Sequence, residues 1–184
     1  IDLDLRHETG NGNKRKYTEE FIRKFVNYYL DEVKKTLPNI NLDYLEAYVM
    51  EKDTPILQSS KGVLKDGIHI MFPYIVTEPK LQYIWRYNMI NNENVIQLMK
   101  DISVKNTLDD VFDIAVIERN NWQMYGSCKP NNIAYKLSYI LKLSEDSSLV
   151  KKMNEKSERK TVKLLSIRNI KSDYLVDTTD INSE

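Results

Sequence analysis

Cysteine is almost missing from this chain: Cys128 is the only one in 184 residues. That excludes an internal disulfide framework and suits a reducing compartment. Histidine is nearly as scarce, at two. With so few Cys and His ligands a structural zinc site, which usually takes four, is not expected. Long apolar runs are absent too, because charge interrupts each within a few residues. No segment therefore reads as a membrane span. The opening IDLDLRHE resembles no secretory signal, so the expected location is intracellular. Charge of one sign is also lacking, since 27 Lys and Arg are balanced by 27 Asp and Glu. This excludes the simplest kind of nucleic-acid binder, a strongly basic domain, and leaves only a local basic patch.

What is present is informative in pattern. Apolar residues make up 41% of the chain and charged ones 29%, enough for one domain with a real core. In residues 1–6, Ile1, Leu3 and Leu5 alternate with Asp2, Asp4 and Arg6, the period of a half-buried strand. A polar, glycine-bearing loop follows. The stretch YTEEFIRKFVNYYLDEVKKTL then predicts a helix, with Thr18 as N-cap, Phe21, Phe25, Tyr29 and Val33 as the buried stripe and Pro38 as the stop. LEAYVMEK (45–52) and GIHIMFP (67–73) predict strands, separated by the loop DTPILQSSKGVLKDG. A second long helix opens at Thr77–Glu78–Pro79. FDIAVIE, WQMYGSCKPNN and AYKLSYILKL read as further strands around tight turns. The order β-α-β-β-α-β-β-β gives an α/β (α+β) class with a mainly antiparallel sheet backed by helices. The chain begins without Met inside a strand pattern, so it reads as an N-terminally truncated fragment. Residues 1–143 form the expected core. Residues 144–184 form a polar extension, partly disordered or a linker, with the last dozen residues poorly ordered.

Asp2 and Asp4 pose the chemical question. Strand residues i and i+2 point the same way about 7 Å apart, and two carboxylates so placed repel unless something neutralises them. A divalent cation, Mg²⁺ or Mn²⁺ above all, would do so. An isolated D-x-D is more often a solvent-facing strand face. His69, mid-strand in KDGIHIMFP, is either a half-buried structural histidine or, with Lys65, a phosphate contact. Asp113 heads the strand-like FDIAVIE, and its plain role is to cap a turn. Arg119, Tyr125, Gly126, Ser127 and Lys129 crowd a turn beside Trp122. That turn is either an anion cradle or a hairpin stapled by its aromatics.

In combination these features are far more specific. A D-x-D strand, a K-x-x-x-H strand, a strand-initial Asp, then Arg-Asn and a YGS-x-K turn resemble the archaeo-eukaryotic primase superfamily. KDGIHIMFP and ERNNWQMYGSCKP look like the primase part of primase–helicases from nucleocytoplasmic large DNA viruses. The resemblance covers residues 1 to about 143. It implies a primase catalytic core with an RRM-like sheet, and metal binding and catalysis by Asp2, Asp4 and Asp113 with two Mg²⁺ or Mn²⁺ ions. It also implies binding of the nucleoside triphosphate by His69, Lys65, Lys129, Arg119 and Ser127. Gly67 stands where family members often carry Ser, and Trp122 or Gln123 where relatives carry Arg. The implied activity is template-directed synthesis of primers on single-stranded DNA from NTPs or dNTPs. The implied partner is a helicase domain in the same parent chain, working in the host cytoplasm or viral factory. No Walker-type GxxxxGK[ST] occurs, so ATPase activity is not expected of this piece. A metal-dependent nuclease or phosphohydrolase, and a non-catalytic nucleic-acid-binding module, are the alternatives.

Overall fold

The computed structural model describes residues 1–10, 14–119, 122–130 and 132–167. Six strands among them form one sheet: β1 (Asp2–Glu8), β2 (Glu46–Glu51), β3 (Ile56–Gln58), β4 (Val63–Met71), β5 (Lys136–Leu143) and β6 (Leu149–Lys152). Their order is β1-β4-β2-β5-β6, with β3 on β4, and every pairing is antiparallel. The expected α+β class holds.

The alternation in β1 sorts its residues between two environments. Leu3 and Leu5 are wholly buried, with Phe25, Val33, Val49, Ile68, Ile70 and Leu141, between the sheet and its helices. That helical layer is α1 (Glu19–Thr36), α2 (Pro79–Asn91) and α3 (Glu93–Asp101). α1 starts where Thr18 accepts a hydrogen bond from the Phe21 amide and buries Phe21, Phe25 and Val33. Asp2 and Asp4 face the other side of the sheet. That side carries a smaller cluster of Tyr48, Met50, Tyr135, Ile140 and Leu165. Leu165 directly follows α6 (Glu158–Leu164).

Four expectations from the sequence need correction. The loop 53–67 contains a hairpin, because a turn at 59–61 followed by Gly62 at φ +59° lets β3 fold back on β4; Leu64 and Asp66 are then buried within a strand. The second long helix is two, since the Asn92 side chain accepts from the Asn94 and Val95 amides and starts α3 afresh. FDIAVIE is no strand. Phe112 makes one bridge to Leu3, and Asp113 then caps the Ala115 amide, turning the chain into the single-turn α5 (Ala115–Glu118), which follows the equally short α4 (Leu108–Val111). The described part of WQMYGSCKPNN forms no strand, only a turn around Gly126 at φ +79°.

That bridge keeps the RRM-like order in reduced form: Phe112 occupies a fourth-strand position beside β1, and β4 and β2 follow on the other side. β1 would otherwise expose an edge. Instead Arg6 and Asp4 bond the 105–106 segment, and the Asp113 amide donates to the Asp2 carbonyl at 3.1 Å. Beyond residue 143, a Ser144–Ser148 turn returns β6 against β5, so the polar stretch adds an edge strand and α6. The last dozen residues lie outside the described residues.

Candidate active site

Register on β1 and β4 assembles the site. Asp2 lies directly opposite His69, Asp4 opposite Gly67 and Arg6 opposite Lys65. Directly paired side chains on one face of a ladder lie within contact distance, and diagonal ones within reach of long side chains. His69 Nε2 accordingly stands 3.3 Å from Asp2 Oδ1, and Lys65 Nζ donates to Asp4 Oδ2 at 2.8 Å. Each aspartate thus has its own basic partner on the neighbouring strand. Burial pushes the Asp2 carboxyl up, but the contact with His69 and the charges of His69 and Lys65 outweigh it and hold it below its ordinary value.

Asp113 joins Asp2 through the backbone, as described, while its Oδ1 accepts from the Ala115 amide at 2.9 Å. Arg86 fixes this segment: Nε donates to the Phe112 carbonyl at 2.9 Å, and one terminal nitrogen donates to the Asp109 carbonyl and carboxylate at 3.0 and 3.1 Å. Asp2 and Asp113 border a cavity of about 340 Å³ whose wall includes Phe72, Trp85, Ile117 and Trp122. A partly apolar pocket beside convergent polar groups is the usual form of a small-molecule site.

Three carboxylates offer hard oxygen donors of the kind Mg²⁺ and Mn²⁺ take. Asp2 Oδ1 is buried and, with the His69 N–H out of line, has no hydrogen-bond partner, so it has a lone pair to offer a cation. Asp4 is held by Lys65, however, and among the described residues no group of three His, Cys, Asp or Glu is gathered as a metal site. The donor chemistry of the three carboxylates fits a divalent ion.

Three other sequence candidates are not bonded to the carboxylates. Among the described residues no hydrogen bond or ion pair joins Arg119, Ser127 or Lys129 to the aspartates. Ser127 closes its own turn on the Met124 carbonyl, and Arg119 and Lys129 are exposed. Trp122 staples no hairpin; its ring packs on His69 with centroids 4.9 Å apart.

Three residues that the motifs did not single out belong to the site. Lys52 continues the face of Tyr48 and Met50 beyond β2, a parity visible in the sequence, and its ammonium lies 4.8 Å from the Tyr135 ring centroid. Burial, then the neighbouring Lys65, holds its pKa below the usual lysine value. Tyr135 stacks on His69 with centroids 3.5 Å apart and planes 19° apart. A register shift leaves Ser138 as the extra residue on β5, so that Leu137 pairs with Met50. The shift turns Leu137, and with it Tyr135, to the face of the aspartates. Arg15 braces the arrangement from beneath, pairing with Asp66 at 3.0 Å and Glu51 at 3.1 Å while donating to the Lys52 carbonyl.

The family model described as the C962R protein N-terminal AEP domain, the archaeo-eukaryotic primase type, matches residues 1–141. A protein of Acanthamoeba polyphaga mimivirus that bears a helicase name, L207/L206, is 34% identical over all 184 residues; the chain spans 16% of that protein's length.

Proposed function

The chain belongs to the archaeo-eukaryotic primase superfamily, and from that premise we propose that it is the nucleotidyltransferase domain of a viral primase–helicase, making primers on a single-stranded DNA template. The observation that carries this reading is the ladder itself: Asp2 with His69 and Asp4 with Lys65 on one sheet face, with Asp113 tied to Asp2 at its edge.

Asp2, Asp4 and Asp113 would hold divalent metal, which when bound supplies Lewis-acid activation of a 3′-hydroxyl and charge relief at the phosphates. The chain's own side chains do the rest. His69, Lys65 and Lys52 receive the triphosphate, a task of positioning and electrostatics rather than covalent catalysis. The cavity beside Asp2 and Asp113 suits the sugar–base end of the nucleotide, with Trp122 as an aromatic wall. Lys129, Arg119 and Ser127 are assigned to the incoming nucleotide on resemblance alone. In the parent protein the same chain would carry a helicase region, as the mimivirus relative's name suggests, and act where the viral genome is replicated, in the host cytoplasm or viral factory. Among the described residues no helix is long and apolar enough to cross a membrane.

The test is synthesis on single-stranded DNA with NTPs or dNTPs and Mn²⁺ or Mg²⁺. The wild-type chain is expected to initiate or extend primers, and Asp4→Ala to abolish this with an unchanged far-UV spectrum. Retained synthesis by Asp4→Ala would refute the assignment. Degradation of the template, lost in the same variant, would replace it with the nuclease reading.

A further inference from the structure

Tyr135 is the least expected occupant of the site. Its ring is stacked on His69 and its hydroxyl covers Gly67, the residue directly opposite Asp4. A Cβ built on Gly67 would collide with that hydroxyl and stand 3.3 Å from the ring's Cζ and 3.2 Å from the Leu3 carbonyl. Gly67 does not have the positive φ that favours glycine. Its missing side chain is therefore explained by Tyr135: the tyrosine oxygen fills the volume that a side chain at 67 would take. Burial, then the charges of Asp2, Asp4 and Asp66, pushes the phenol's ionisation far above its ordinary value, so the group stays a proton donor. Around it stand the His69 ring, Lys52 and the Asp4–Lys65 pair, so an uncharged donor sits beside two lysines and a carboxylate.

We propose that the Tyr135 hydroxyl binds the nucleotide, donating a hydrogen bond to a phosphate oxygen of the triphosphate received by His69, Lys65 and Lys52, and that residues 67 and 135 form one size-coupled unit. This rests on the triphosphate reading of the site. With glycine at 67 the donor comes from the distant tyrosine; with a larger residue at 67 the tyrosine oxygen has no room. Stacking also fixes the imidazole plane, so the ring positions His69 while the hydroxyl touches the ligand.

The experiment compares wild type, Tyr135→Phe, Gly67→Ser, the double variant Gly67→Ser/Tyr135→Phe, and His69→Ala. Each is assayed for ATP affinity with Mn²⁺, for KM and kcat in primer extension on oligo(dT), and for thermal midpoint. A hydrogen bond to a charged oxygen is typically worth a tenfold or greater change in affinity. Tyr135→Phe should therefore bind ATP about tenfold more weakly, with KM raised, kcat little changed and the midpoint near wild type. Gly67→Ser should also bind more weakly. The double variant should regain much of the loss, because phenylalanine vacates the oxygen's place and serine returns a hydroxyl to it. ATP affinity in Tyr135→Phe equal to wild type, or a double variant no better than the worse single one, overturns the proposal. In that case loss of binding in His69→Ala leaves the triphosphate site standing. Absence of ATP binding and of synthesis in the wild type overturns both together. If Gly67→Ser fails to fold, Tyr135→Phe decides alone by the same tenfold criterion.

Discussion

His7 shows how a residue on the site's own strand is kept out of the chemistry. It points to the interior, 2% exposed, with Nδ1 3.3 Å from the Ser103 carbonyl. The carbonyl can only accept, so Nδ1 carries the proton, and Nε2 is left buried without a partner. Burial holds its pKa below 6.5, against the raising effects of the Ser103 bond and Asp66. The folded chain resists the proton that the unfolded chain takes up near pH 6.5, so the contribution of His7 to stability is complete above that pH and is lost as pH falls below it. Urea midpoints measured from pH 8 to 5 should fall through that range, and His7→Leu should flatten this part of the curve. An unchanged pH profile in the variant would count against a buried neutral His7. The contrast with His69, which lies opposite Asp2 on β4 while His7 lies opposite Leu64, is one of strand parity. Parity was legible in the sequence for Asp2, Asp4 and His69 and would have shown Lys52 as well, whereas Lys65 fell in a stretch that reads as loop.

At the level of elements, the site is held together by a segment the sequence misrepresents. FDIAVIE has the composition of a buried strand, yet the Asp113 side chain competes for the Ala115 amide and turns the backbone away after one bridge. Asp113 as a turn cap was one reading open in the sequence, but local apolar content decides neither that reading nor whether Ser138 will bulge and bring Tyr135 across the sheet. Those facts depend on the partner strand. By contrast α1, β2 and β5, with long unambiguous periods, were legible within a residue or two. Arg86 on α2 holds the 109–113 segment by three hydrogen bonds. Arg86→Lys keeps the charge but cannot reproduce that fork, and should cost roughly 1–3 kcal/mol in stability. Because Asp113 loosens while His69 does not, kcat should fall by more than ATP affinity. Steady-state kinetics showing the reverse would remove Arg86 from the positioning of Asp113.

For the molecule as a whole, zero net charge is matched by local pairing of many cations near the ladder. Lys65 is engaged by Asp4, Arg15 by Asp66 and Glu51, Lys136 by Asp53 and Lys105 by Glu8. Cations already compensated in this way displace fewer counterions from a template. Anisotropy on oligo(dT) between 50 and 200 mM KCl should give a slope of log K against log[salt] shallower than about −3, or roughly four phosphates. A steeper slope would show that this domain alone grips the strand. The two-residue step of β1 has a further consequence. One spacing rule allots Leu3 and Leu5 to the interior and Asp2 and Asp4 to the opposite face of the sheet, so a residue gained or lost within that strand would exchange the two sets at a stroke. An insertion between positions 2 and 5 would turn Leu3 and Leu5 out of the core and carry the carboxylates into it.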